Sequence, residues 1–509
     1  MNPGMDRNAS TAAGLAQFDL TGMRRGVEKE SLRVTAESVL AATPHPAALG
    51  SALTHPRITT DFSESQVELI TGVHPDVASC LEELNQIQQV TLRALGNEML
   101  WASSMPCGLP SDDAIPIGQY GSSNDGRAKS VYRVGLGHRY GRRMQTISGI
   151  HYNWSLPGVS SEGYFGLIRN FRRHAFLLLY LFGASPAVCS TFVAGRKHPL
   201  QALNQYTMYL PYATSLRMGR LGYQSDAQAT LAVSYNSLSG YVDALARAMR
   251  QPYPAYEAIG VRNADGQYLQ LATSLLQIEN EFYASIRPKR VTQPGERPLH
   301  ALRARGVEYV EVRLMDLDPF EPVGINAQTM RFLDAFLLHC LFTSSPPDTP
   351  TEIAALARNQ HLVAERGREP GLLLERGEAQ VALTEWAAEL LEEMEVFARR
   401  LDADQGGTHH IDALLSARQA LAHPDTLPSA RVLEAVKAQP NGSFVAFVRG
   451  QSKAIKQQML ASALAPEVEQ RFAALAQRSV QDQRALEAAD TLDFDDYLRA
   501  YLSPDSLAL

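Results

Sequence analysis

From Met144 to Gly158 the chain reads MQTISGIHYNWSLPG, with apolar and polar residues alternating at period two. In an extended chain Ile150, Tyr152, Trp154 and Leu156 share one face, and Gln145, His151, Asn153 and Ser155 share the other. Such a strand packs one side on a core and leaves the other side polar. VEYVEVRLMDLDP (307–319) repeats the pattern, with Val310, Val312 and Leu314 opposite Glu311 and Arg313, and Pro319 is expected to end the strand. RGVEKESLRV (25–34) places Glu28 and Glu30 on a common face while Val27 and Lys29 point away. Adjacent carboxylates repel unless something cationic lies in front of them. An isolated E-x-E is ordinarily a solvated strand face, so other acids must join the pair before it signifies a site.

Helical text surrounds these strands. CLEELNQIQQVTLRAL (80–95) spaces Leu81, Leu84, Ile87 and Val90 for one helix face. Beyond TSSPPDTP (343–350), ALTEWAAELLEEMEVFARRL (382–401) aligns Leu383, Trp386, Leu390, Met394, Phe397 and Leu401 on one stripe. The expected class is α+β, with a body over residues 1–340 and a mostly helical portion over 341–509 packed on it. Ala175–Gly195 is uncharged over nearly a membrane span. Gly183, Ser185 and Pro186 interrupt it, however, so a buried helix followed by a loop is expected rather than a span.

Of the 509 residues, 45% are hydrophobic, and 47 Lys and Arg against 54 Asp and Glu leave a net charge of −7. That balance gives no reason to expect nucleic acid or an anionic membrane as partner. An anionic substrate would need local cations. The four cysteines, Cys80, Cys107, Cys189 and Cys340, form neither a C-x-x-C pair nor a disulfide framework, which suits a reducing cytoplasm. The N-terminus MNPGMDRNASTAAG shows no export signal, so a cytoplasmic location is expected.

TTDFSESQVELITG (59–72) adds Asp61, Glu64 and Glu68 at strand-like sites. With Glu28, Glu30, His151 and Glu311, they form a set of carboxylates and one imidazole suited to Mg²⁺ or Mn²⁺ rather than zinc. Arg217, Arg287, Lys289, Arg290 and Arg313 sit in apolar or aromatic text and offer phosphate or carboxylate binding, with an ordinary salt bridge the expected role of Arg287 and Arg290 and an equal rival for Arg313. There is no G-x-x-x-x-G-K-[ST] and no G-x-G-x-x-G after a strand. Phosphate chemistry without a P-loop or Rossmann site is the combination implied.

Seven stretches, in order from about residue 20 to residue 340, closely resemble bacterial glutamate–cysteine ligases of the proteobacterial type. They are RGVEKESLRV, GSALTHPRITTDFSESQVELITG, MQTISGIHYNWSLP, YLFGASPAVC, LPYATSLRMGRLGY, LQIENEFYASIRPKR and GVEYVEVRLMDLDPF. The resemblance implies a curved, mainly antiparallel sheet like that of glutamine synthetase. It also implies an ATP- and Mg²⁺-dependent enzyme that joins the γ-carboxyl of glutamate to the amine of cysteine. By the same resemblance, Glu28, Glu30, Asp61, Glu68, His151 and Glu311 hold the metal ions, and Arg313 with Lys289 faces the ATP phosphates. Arg217 clamps the glutamate α-carboxylate, and Tyr132, Leu136, Gln145, Ile147, Tyr223 and Tyr283 form the cysteine pocket. Lys29 stands where relatives carry arginine, on the strand face turned away from the metals. A monomer is the working expectation for assembly.

A carboxylate oxygen leaves poorly, so the implied route passes through a γ-glutamyl phosphate. Two rivals share the scaffold: a carboxylate–amine ligase with another acceptor amine, and a metal- or nucleotide-binding regulator without turnover.

Overall fold

The computed structural model describes residues 14–15, 17–222, 226–229, 231–293, 295–503 and 506; Tyr223, one of the residues expected in the cysteine pocket, lies outside them. The spine is an 11-residue strand, β1 (Arg24–Val34), paired antiparallel on both sides. After it come β2 (Ile58–Thr60), β3 (Gln66–Ile70), β4 (Met99–Leu100) and β5 (Ile150–Ser155), then the short strands β6 (Ala187–Cys189), β7 (Gln201–Ala202) and β8 (Thr207–Tyr209). The remaining strands are β9 (Ile286–Lys289), β10 (Tyr309–Met315) and the hairpin β11 (Leu373–Arg376) with β12 (Ala379–Ala382). Seven of them build one antiparallel sheet in the order β2-β3-β1-β5-β10-β9, with β4 against the end of β1. The pairing of β10 with β5 shifts register between Val312 and Met315, a bulge that bends the sheet there.

Alternation decides the two faces. Val27, Val67, Leu69, Ile150, Tyr152, Trp154, Val310, Val312 and Leu314 are buried in one apolar cluster with the helices Val77–Ala94, Ser161–Phe182 and Ala327–Phe342. Asp76, Ser160 and Asn326 cap those helices by accepting from Ser79 N, Gly163 N and Thr329 N. Within this layer Arg25 pairs with Asp334 at 3.0 Å, both side chains fully buried, and Tyr152 Oη donates to Asp334 Oδ1 at 2.8 Å. Glu28, Glu30, Glu68, His151, Glu311 and Arg313 occupy the opposite face.

Several boundaries differ from the sequence expectation. Residues 144–146 form a 3-10 turn rather than strand, and β10 stops at Met315, before Pro319. Asp61 and Glu64 lie in the turn between β2 and β3, not on strands. The stripe 382–401 divides at Met394 into the helices Leu383–Glu393 and Glu395–Gln405, yet all six stripe residues are buried. After Ser161–Phe182 the chain enters β6 rather than only a loop. Among the described residues, no helix is long and apolar enough to cross a membrane.

The cysteine expectation is corrected as well. Cys107 and Cys189, 82 residues apart in sequence, are disulfide-bonded with Cα atoms 5.3 Å apart, while Cys80 and Cys340 are free and buried. Spacing along the chain could not reveal this, because the loop after β4 folds onto β6 in a second apolar cluster with Leu32, Ile147 and Leu216.

From residue 350 onward the described residues form helices, the connections between them and the β11–β12 hairpin. Phe397, Leu401 and Leu414 from this part share the main cluster with Leu333 and Phe336, so one core runs through both parts.

Lys29 lies on the helix-facing side of β1, buried, and its Nζ donates to Gln88 Oε1. Burial pushes its ammonium down from 10.5 to about 7. Below about pH 7 the folded protein therefore carries the full penalty of burying a charge, and the penalty fades as pH rises toward 10.5. Lys29→Met should stabilise the protein by a few kcal/mol at pH 7, less the cost of the lost Gln88 contact, with the advantage shrinking by pH 10. Denaturant unfolding of both proteins at the two pH values checks this; a difference independent of pH would contradict it.

Candidate active site

Strand register brings the acidic set together. Glu30 stands opposite Glu68 and Glu28 opposite His151, while Glu311 faces Asn153 on one side and Arg287 on the other. His151 is the hub: its Nδ1 is 3.0 Å from Glu28 Oε2 and 3.7 Å from Glu311 Oε1, and its Nε2 is 3.5 Å from Glu30 Oε1. Two groups able to hold a metal ion share this imidazole, Glu28–His151–Glu311 and Glu30–Glu68–His151, each with its ligand atoms within 4.8 Å of one another. Asn153 Nδ2 donates to Glu28 Oε1 at 2.9 Å, and Gly149 N donates to Glu30 Oε2 at 2.8 Å, so the carboxylates are aimed rather than loose.

The charges are unevenly matched. Burial and the neighbouring Asp61 raise Glu30, and burial with Glu28, Asp61 and Glu30 holds Glu68 well above the usual carboxylate range. Glu311 is held well below it: burial alone would raise it, but Lys289 at 3.5 Å and Arg313 at 3.1 Å outweigh that. Glu311 Oε2 is buried without a hydrogen-bond partner among the described residues. Converging acids that raise one another, together with a buried carboxylate oxygen lacking a donor, fit oxygen-seeking divalent cations.

Asp61 acts on Glu30 and Glu68 electrostatically but belongs to neither group; its backbone oxygen accepts from Tyr120 Oη at 2.7 Å and from Arg133 Nε. Glu64 is elsewhere, tying two loops by accepting from His45 N at 2.7 Å and Gln119 N at 2.8 Å. Arg287 is half-buried beside Arg313 and donates to Asn280 O at 2.9 Å, whereas Arg290 is turned to Glu308 and Arg305 O, the salt-bridge role expected of it.

Arg217 is the central residue of a 3-10 turn, Leu216–Met218, and is 1% exposed. Its Nη2 donates to Arg313 O at 2.8 Å, and its Nη1 lies 3.9 Å from Asp316 Oδ1. The guanidinium lies against Gly149, where a Cβ would sit 2.1 Å from Nη2. Only glycine allows that approach.

The tyrosines gather beside this face. Tyr132 and Leu136 are one turn apart on the helix Asn124–Tyr140, and Gln145 Nε2 donates to Tyr283 Oη at 2.6 Å. Tyr140 packs edge-on against Tyr283 at 5.5 Å and donates to Glu281, which also pairs with Arg139 at 2.9 Å. Burial and the nearby Glu281 push the Tyr132 phenol well up; burial also raises Tyr283, where Asp61 contributes. Ile147 is fully buried in the second apolar cluster and supports this wall from behind.

A family model described as glutamate-cysteine ligase matches residues 13–363. The chain belongs to the glutamate–cysteine ligase family. It is 46% identical over 516 residues to the glutamate–cysteine ligase of Alcanivorax borkumensis, and 49% identical over 514 residues to that of a Janthinobacterium species, with 97% of each chain covered in both cases. A crystal structure of the Francisella tularensis glutamate–cysteine ligase in complex with AMP superposes with a TM-score of 0.90 at 38% identity, covering 94% of this chain and 97% of that one.

In this family member the sequence reading missed Tyr309, Asn153 and Arg133 as parts of the site. Tyr309, whose phenol is raised by burial and by the nearby Glu28 and Glu311, sits two residues before Glu311, so strand periodicity alone would have found it. Asn153 was placed on the polar face without a role. Arg133 carries no such signal, since only the folded helix brings it to Asp61.

Proposed function

We propose that the acidic sheet face is where this ligase activates the γ-carboxyl of glutamate with ATP and joins it to the amine of cysteine, the first step of glutathione synthesis. The observation that carries the reading is the pair of carboxylate groups sharing His151, faced by Arg313 and Lys289. Glu28, Glu30, Glu68, His151 and Glu311, with Asp61 at the rim, would hold Mg²⁺ or Mn²⁺. When bound, these ions supply positive charge to the ATP phosphates.

Arg313 and Lys289 neutralise charge on the transferring phosphoryl group, and Arg217 clamps the glutamate α-carboxylate. In-line attack by a γ-carboxylate oxygen on the γ-phosphorus releases ADP and forms γ-glutamyl phosphate. The cysteine amine then attacks the acyl carbon, phosphate leaves, and the amine proton is released to solvent. Tyr132, Leu136, Gln145 and Tyr283, backed by Ile147, orient the cysteine, whose small thiol is selected by close aromatic walls, and the resemblance assigns Tyr223 the same role. The body over residues 1–340 supplies all these groups, and the helical remainder buttresses it. We place the enzyme in the cytoplasm, where ATP and both amino acids are available, and as a monomer, since no step draws on a second chain.

ADP release measured with each amino acid omitted in turn tests the assignment. Release at the full rate only with both glutamate and cysteine present is expected. Release with another amine in place of cysteine would select the rival acceptor, and no release under any condition would select a regulator.

A further inference from the structure

Behind the sheet, the helices Ser161–Phe182 and Ala327–Phe342 bring His174, His339 and Cys340 together, with one ligand atom from each lying within 4.8 Å of the others. The two imidazole rings are 5.4 Å apart, and Trp386 and Phe397 stand edge-on around them. Nδ1 of His174 and Nδ1 of His339 are both buried without a hydrogen-bond partner among the described residues, and the His339 side chain is fully buried. Polar nitrogens are rarely left this way in a packed core.

His339 Nε2 is 2.9 Å from Glu393 Oε2. A carboxylate there takes the Nε2–H and leaves Nδ1 as a lone pair, the arrangement that orients histidines bound to metals. Burial, with His339, Arg173 and Arg376 nearby, holds His174 well below the usual histidine range. Arg173 and Arg376 are themselves paired, with Glu352 and Glu389. Cys340 is a free, buried thiol.

We propose that His174, His339 and Cys340 form a second metal site, separate from the acidic face, for one thiophilic transition-metal ion, Zn²⁺ by its donor set. Two imidazoles and a thiolate suit Zn²⁺ or Cu⁺ and not Mg²⁺, which takes oxygen ligands. Binding forms a metal–sulfur bond and sends the Cys340 proton to solvent, so uptake releases one proton for each ion. The role is structural: the ion would join two helices of the layer on which the catalytic sheet rests.

The full-length protein, stripped with a chelator and kept in excess Mg²⁺, is loaded with Zn²⁺, Cu⁺ or Co²⁺ in turn, desalted and analysed for metal. About one Zn²⁺ per chain is expected, with a thiolate-to-metal absorption band in the Co²⁺ form. Cys340→Ala should abolish that band, and both Cys340→Ala and His339→Gln should lower Zn²⁺ retention at least ~10-fold, the scale at which ligand-shell changes act. Cys80→Ala should change neither. Should one variant fail to fold by circular dichroism, His174→Asn gives the same reading from the other helix. Retention of Cu⁺ with the same residue dependence also supports the site. No retained transition metal in the parent, or equal retention in the folded variants, overturns it.

Discussion

Glu311→Ala is expected to cut ligation by on the order of 1000-fold or more at saturating Mg²⁺ while leaving the protein folded, a loss typical of removing one electrostatic contact from a dry active site. Its carboxylate is buried on the polar face, within reach of His151, Arg313 and Lys289, and one of its oxygens has no protein partner. Removing it takes away an oxygen ligand and leaves two cations facing each other without an anion between them. None of the apolar contacts of Val310 and Val312 on the other face is touched. Glu311→Gln keeps the volume and tests the charge alone; it should also lose most of the activity. Steady-state rates beside a circular dichroism spectrum check both variants, and turnover equal to the parent would remove Glu311 from the metal site.

Arg217→Lys should raise the KM for glutamate about 100-fold and leave the KM for ATP within about threefold, because an ammonium loses the bidentate fork that matches a carboxylate. Gly149→Ala should reproduce the effect without touching the arginine. The added Cβ would lie 2.1 Å from Arg217 Nη2, so the guanidinium must leave its place beside Asp316 and Arg313 O. Agreement between the two variants would identify the position of the guanidinium, and not only its charge, as the determinant. Unchanged KM for glutamate in both would take Arg217 out of that pocket.

The sheet was legible in sequence wherever one face is apolar and the other polar. Ile150, Tyr152, Trp154, Val310 and Val312 went to the core, and Glu28, Glu30, His151 and Glu311 to the opposite face, because period two is a local property of an extended chain. Convergence of those strands is not local. Glu64 resembles Glu68 in its sequence setting, yet the turn between β2 and β3 sends it to the amides of His45 and Gln119. The Cys107–Cys189 bond and the His174–His339–Cys340 group were likewise invisible, since each joins segments that meet only after the chain has folded. The break at Met394 left no trace in the pattern because the apolar stripe continues across it.

The central claim is that the acidic face directs a γ-carboxylate oxygen of glutamate onto the γ-phosphorus of ATP. Glutamate labelled with oxygen-18 in its γ-carboxyl, turned over with cysteine and ATP, tests it most directly by mass spectrometry of the phosphate and nucleotide products. The acyl-phosphate route predicts one labelled oxygen in inorganic phosphate for each peptide bond made, because the bridging oxygen leaves with phosphorus, and it predicts no label in the nucleotide. Unlabelled phosphate, or label in AMP, would contradict the route and with it the roles given to Arg313, Lys289 and the carboxylates around His151.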